Sequence, residues 1–247
     1  MGFIIAVKFL TLIPIPIKKE VGPKELVESL PYFPLVGIAL GTILFIFYYL
    51  LSFILPPPVI YALLIIILVI LTGASHVDGL MDTFDGLVSG KSLEKRLEIM
   101  SDSRVGSFGI TAAILLFLLK YTSLAYNPNT MITLLLMPTL SRWMMTSAIF
   151  TSPSAKNAGM GAIFKQGTSW LRFTISTIIA LVISIFLLNW RGLILMAGLW
   201  IIISSIAYYF RSRFGGLTGD NFGAVNEIAE IIVVILLIII NRFLGFM

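Results

Sequence analysis

Asp78, Asp82 and Asp85 stand at i, i+4 and i+7 in the stretch HVDGLMDTFDG. On a helix this spacing projects all three from one face, near enough for their oxygens to share a divalent cation. Carboxylates that close repel one another unless a cation or a proton lies between them. The stretch runs on as LVSGKSLEKRLEIMSD, so six of the chain's twelve carboxylates fall between Asp78 and Asp102. His76 heads it as the one histidine of the chain, and cysteine is absent. Disulfides, thiolate zinc sites and multi-histidine metal sites are thereby excluded. A metal here must be held by oxygen, which points to Mg²⁺, with Mn²⁺ as a substitute, or Ca²⁺.

Three further segments carry polar chemistry. In KSLEKRLEIMSDSRVGSFG, Glu94 and Glu98 read as ordinary i,i+4 helix support. Asp102 with Arg104 and the glycines Gly106 and Gly109 reads as a ligand-contacting corner, and Arg96 and Arg104 could give bidentate contacts to phosphate. In FGGLTGDNFGAVNEIAE, Gly216, Thr218 and Gly219 form a turn whose backbone N–H groups could cradle an anion, beside Asp220 and Glu227. The segment SPSAKNAGMGAIFKQG supplies Lys156 and Lys165 as a substrate flap or a solvated connection. Arg142 lies within an apolar run, where it either serves function or pairs with a carboxylate to hold helices together.

The elements that position these residues belong to a membrane. The chain is 58% hydrophobic and 12% charged, with a mean hydropathy of +1.03, whereas a soluble globule has about a quarter of its residues charged. Windows of about 20 apolar residues, enough to cross a hydrocarbon core, predict seven spans: Phe33 to Leu55, Pro58 to Ser75, Phe108 to Ala125, Met131 to Phe150, Ser169 to Leu188, Leu193 to Phe210, and Ile228 to Leu244. The first seventeen residues read as an interfacial or re-entrant segment. The expected fold is an all-α polytopic bundle forming one catalytic domain over residues 1–247. Thirteen Lys and Arg then fall on the face of the long loops, including Lys8, Lys18, Lys19, Lys24, Lys91, Lys95, Arg211 and Arg213, against Lys120, Arg191 and Arg242 on the other. The N-terminus and the polar loops are therefore expected to be cytoplasmic. The net charge of +5 is explained by loop residues facing anionic lipid, so a nucleic-acid partner is not inferred.

The order His76, Asp78, Gly79, Leu80, Asp82, Thr83, Asp85, Gly86, followed by Arg96 to Met100, Asp102, Ser103, Arg104, Gly106, Phe108 and Gly109, resembles the signature of the cobalamin synthase (adenosylcobinamide-GDP ribazoletransferase) family. FLTLIPIP at 9–16, FPLVG at 33–37 and GGLTGDNFGAVNE at 215–227 resemble its other blocks. Val77 and Phe84 depart from its acidic block, and 152–161 is less basic than its counterpart. The resemblance implies transfer of adenosylcobinamide phosphate from the corrinoid-GDP to α-ribazole or its 5′-phosphate, releasing GMP with Mg²⁺, in the cytoplasmic membrane. Because such a transfer brings an oxygen nucleophile to an anionic centre, Asp78, Asp82 and Asp85 are expected as metal ligands, completed by Asp220 or Asp102, with His76 or a carboxylate as base. Phosphate contacts fall to Arg96, Arg104, Lys156, Gly216, Thr218, Gly219 and Glu227. The lipid bilayer is the constant partner; a second copy, or other cobalamin-assembly enzymes, are further expected partners. Two rivals are a CDP-alcohol phosphatidyltransferase, whose aspartate pattern differs, and an ion-coupled transporter, whose acids usually sit near the midplane within repeats.

Overall fold

A computed structural model describes residues 1–16, 21–102 and 104–245; the predicted topological cations Lys18 and Lys19, and Ser103 of the motif, lie outside the described residues. The described chain is helical: α1 (Gly2–Leu10), α2 (Pro23–Ser29), a 3-10 turn (Leu30–Tyr32), α3 (Phe33–Leu51), α4 (Pro57–Leu71), α5 (Ser75–Ser89), α6 (Leu93–Ile99), α7 (Ser107–Ala125), α8 (Thr130–Thr151), α9 (Met160–Gly167), α10 (Trp170–Leu188), α11 (Arg191–Phe214) and α12 (Gly219–Leu244). Five stretches are long and apolar enough to cross a membrane: Pro23–Leu51, which joins α2 to α3, then α7, α10, α11 and α12. The bent pair α4 and α5 makes up to six. The chain is a multi-pass membrane protein.

Seven spans were expected, and the difference has a physical cause. The predicted span Met131 to Phe150 is helix α8, but it runs through the middle of the bundle against α3, α10 and α12. From Thr133 to Ile149 every residue except Leu135 is buried. Protein rather than lipid surrounds α8, so it carries Thr139, Ser141, Arg142, Thr146 and Ser147 and falls short in hydropathy. The predicted span Pro58 to Ser75 likewise ends at Leu71. The chain turns there by 89° into α5, through Gly73 and Ala74, both with positive φ. For Ala74 that left-handed conformation costs about 1–2 kcal/mol. The N-terminal segment holds the corner: Leu12 N–H donates to the Leu71 carbonyl at 2.7 Å, and Leu12 packs where a side chain at Gly73 would project.

Two glycines set the approach of α3 to α8. Gly37 and Gly41 are four apart, and a Cβ on either would collide with α8 backbone, at Pro138 and Thr139 or at Leu134 and Leu135. Small residues at this spacing let helix axes approach closely in a membrane bundle. Pro138 lacks an N–H, so the Leu134 carbonyl has no i+4 donor; it faces the space that Gly41 leaves open. Gly37→Val and Gly41→Val should each overpack the contact and cost about 1–3 kcal/mol, read as a lower Tm of the detergent-solubilised protein. Gly198→Ala is the control, since a Cβ there meets only Leu236 at 3.6 Å; equal Tm values for all three would refute the close-packing account.

Candidate active site

Helix α5 meets the start of α12 face to face. Gly79 lies so close to Asp220 that any side chain would strike its backbone, and Gly223 is similarly pressed against His76. Thr218 caps α12 by accepting from Asn221 N–H, while the Asn221 side chain accepts from Thr218 N–H. Asn221 Nδ2 also donates to Thr83 Oγ1 at 3.0 Å, pinning α12 to α5. These contacts bring residues some 140 positions apart to the rim of one cavity of about 410 Å³.

His76, Asp78, Lys156, Thr218, Gly219 and Asp220 all line this cavity. Asp82 stands in the combined field of Asp78, Asp220 and Asp85. Asp78 and Asp82 have no donor or cation of the described residues against their carboxylates. Asp220 receives only the Thr218 hydroxyl, at 3.3 Å, and the more distant charge of Lys156. The negative charges of Asp78 and Asp220 thus bear on Asp82, and the positive charge of Lys156 bears on Asp220. Among the described residues no three acidic or histidine side chains are gathered as a metal-ligand set. The first turn of α12 lines the same space with Thr218, Gly219 and Asp220.

Asp85 differs from its neighbours. It is buried, and its two oxygens accept from Gly106 N–H at 2.7 Å and Gly109 N–H at 2.9 Å. It thus caps α7 from another helix, and the two glycines leave room for its carboxylate. Where the sequence led us to expect a metal ligand, each Asp85 oxygen accepts one backbone hydrogen bond. Asp102 and Arg104 are spent on each other, with Arg104 Nη2 2.7 Å from Asp102 Oδ2, and hydrogen bonds from the Arg104 side chain and backbone hold the Asp102 carboxyl at about 2. Neither lines the cavity. Arg96 donates to the backbone carbonyls of Gly90 and Arg213, both at 2.9 Å, joining α6 to α11. Gly216 serves the backbone, admitting the loop at Ser154 that pairs with Leu217. Lys156 rests on Ser101 Oγ at 2.8 Å.

Glu227 is also displaced from its predicted role, since it lies inside the bundle. Lys120 Nζ sits 2.7 Å from Glu227 Oε2 and 2.7 Å from Glu230 Oε2, and Arg142 Nη1 pairs with Glu230 Oε1. All four residues are buried. Lys120, placed by sequence at the far face, is therefore an interior cation, and Arg142 takes the carboxylate-pairing option. Asn226 joins this cluster to the cavity, its Nδ2 lying 3.3 Å from Glu230 Oε1 and 3.1 Å from His76 Nδ1. Sequence reasoning did not single out Asn226, Asn221 or Thr83. The spacing of Asn226 and Glu230, one helical turn apart on a helix that also carries Glu227, was the available signal.

The fold and site define an integral-membrane helical bundle with an acidic cavity where a bent helix meets the start of its last span. The chain belongs to the cobalamin-5-phosphate synthase family, whose model matches residues 2–238. It is 35% identical over 232 residues to an adenosylcobinamide-GDP ribazoletransferase of Thermoanaerobacter pseudethanolicus, covering 92% of this chain and 93% of that one. A protein of the same name from Desulfitobacterium hafniense is 38% identical over 92% of both chains. Another from Shewanella piezotolerans is 35% identical over 97% of this chain and 95% of its own. No solved structure matches.

The two kinds of carboxylate should separate in stability. Asp85→Ala removes a helix cap and should cost about 1–2 kcal/mol. Asp78→Asn and Asp82→Asn relieve uncompensated repulsion and should hold or raise the Tm of purified protein in chelator. A Tm loss from Asp82→Asn as large as that from Asp85→Ala would contradict this division.

Proposed function

We propose that the chain completes the nucleotide loop of cobalamin, transferring adenosylcobinamide phosphate from adenosylcobinamide-GDP to α-ribazole or its 5′-phosphate and releasing GMP. The observation that carries this reading is the meeting of Asp78 and Asp220 at one cavity, with Asp82 beside it in the field of both. Joining a ribose hydroxyl to a phosphoanhydride brings an oxygen nucleophile to an anionic centre, and the developing charge must be neutralised. Asp78, Asp82 and Asp220 would hold Mg²⁺, which when bound supplies that neutralisation.

The chain's own groups do the rest. The α12 N-terminus, capped by Thr218 and opened by Gly219, receives phosphate oxygens through backbone N–H groups. Lys156 approaches from the loop on the opposite rim. The ribose oxygen bonds to the phosphorus nearer the cobinamide as the bond from that phosphorus to the GMP oxygen breaks. A carboxylate of the cluster takes the hydroxyl proton. At about 410 Å³ the cavity is of the size that holds a small ligand, so the nucleotide portion enters while the corrin lies outside it. The excess of basic residues on the loop side supports a cytoplasmic-membrane location, with the N-terminus and this cavity facing the cytoplasm.

Purified protein in detergent, given both substrates, should release GMP with Mg²⁺ and stop on chelation, with Mn²⁺ a partial substitute. Asp82→Asn should lower turnover at least about 10²-fold while purifying as folded protein. GMP release that persists in chelator would refute the metal assignment. No GMP from folded, metal-supplied protein would refute the reaction and bring CDP-alcohol substrates forward.

A further inference from the structure

Among the described residues, the side chain of Asn226 links the cavity to the buried ion cluster. Its Nδ2 lies between two groups, the Glu230 carboxylate at 3.3 Å and His76 Nδ1 at 3.1 Å. Glu230, already bridged by Lys120 and Arg142, offers only acceptor oxygens in that direction. The amide must therefore present its nitrogen to Glu230. Rotating it by half a turn would set Oδ1 against the carboxylate. The structure keeps Nδ2 inward even though Oδ1 is then left buried without a partner among the described residues, an arrangement that costs stability. One Nδ2 hydrogen goes to Glu230, and the other goes to His76.

A ring nitrogen that accepts carries no proton, and its partner across the ring then does. We infer that Asn226 is a positioning residue that holds His76 with its proton on Nε2, so that His76 meets the substrate as a hydrogen-bond donor and not as a base. Nε2 has no partner among the described residues and is not among the polar atoms sealed in the bundle, and His76 lines the cavity. A donor at that place suits a phosphate oxygen that gains charge as the leaving group departs. It cannot accept a hydroxyl proton, because its one free nitrogen lone pair is turned into the bundle and occupied. The chain of dependence runs from Lys120 and Arg142 through Glu230 and Asn226 to the imidazole edge. The donor role rests on the proposed phosphoryl transfer; the proton position does not.

Because His76 is the sole histidine, the test can be read from one ring. Protein labelled with ¹⁵N-histidine, full length in detergent or lipid nanodiscs, should show a lone-pair Nδ1 and a protonated Nε2 by two-bond and three-bond proton correlations. A proton on Nδ1, or on both nitrogens at neutral pH, would overturn the inference. Asn226→Leu, which removes the donor, should shift the ring toward a mixture of tautomers. If that variant fails to fold, the wild-type spectrum still decides the proton position.

Activity gives the second arm. His76→Gln retains a side-chain N–H donor and should stay within about tenfold of wild type in GMP release, while His76→Phe should fall about 10²–10³-fold in kcat, as when a donor to a developing oxyanion is removed. A fall of 10²–10⁴ in His76→Gln equal to that of His76→Phe would instead mark a base and overturn the donor role. Absence of GMP from wild type, with the proton found on Nε2, would refute the reaction while leaving the tautomer assignment standing.

Discussion

The bundle is organised around a buried, charge-balanced cluster: Lys120 and Arg142 against Glu227 and Glu230. Taking four charges out of water costs several kcal/mol per ion, which is recovered only if every charge meets an opposite one at short range. That requirement fixes which faces of α7, α8 and α12 can meet, because sliding any of them by a turn would strand a charge. Apolar packing alone sets no such register between helices in lipid, where tails are as apolar as leucine. Arg142 is answered incompletely, since its Nε and Nη2 find no acceptor among the described residues, so the cluster is better seen as fixing geometry than as a source of stability. The acidic cavity inherits that geometry, since α12 carries both Glu230 and, ten residues earlier, Asp220.

How far the site was legible in the sequence depends on which partner each residue needs. Asp78 and Asp82 could be found from spacing on one helix, because that is a local property and the structure keeps α5 helical. Asp85 has the same local credentials and a different fate. What decides it is the pair of N–H groups at Gly106 and Gly109, more than twenty residues away, and no periodicity within α5 reports them. Glu227 and Lys120 are 107 positions apart, so one appeared to be a loop carboxylate and the other a boundary cation. Glycine was the more telling sequence signal, since Gly79, Gly86, Gly106 and Gly109 all stand where another group needs the room.

The spans were legible to the extent that lipid surrounds them. Hydropathy measures what a helix shows to its surroundings, so α10, with few residues buried, announces itself, whereas α8, enclosed by other helices, does not need to be apolar all round. The same logic allows the corner after α4. A break in the backbone at membrane depth is tolerated only where protein or water satisfies it, and here Leu12 N–H meets the Leu71 carbonyl. The bend lets α5 leave the line of α4 and lie along α12, which a straight helix could not do.

The two groups of carboxylates, so close in sequence on α12, are therefore set apart by what answers them. Glu227 and Glu230 sit deep and are matched by cations from α7 and α8. Asp220, with Asp78 and Asp82 across from it, sits at the mouth and is matched by nothing stronger than a hydroxyl and the distant Lys156. The inner charges are balanced two against two, whereas the outer carboxylates face one another with only a hydroxyl and the distant Lys156 to answer them among the described residues. Asn226, lying between the two groups, touches the compensated one with one hydrogen and the cavity's histidine with the other. A change in the inner cluster must accordingly be felt at the cavity through a side chain that has only two ways to point, which couples the packing of the bundle to the chemistry at its mouth.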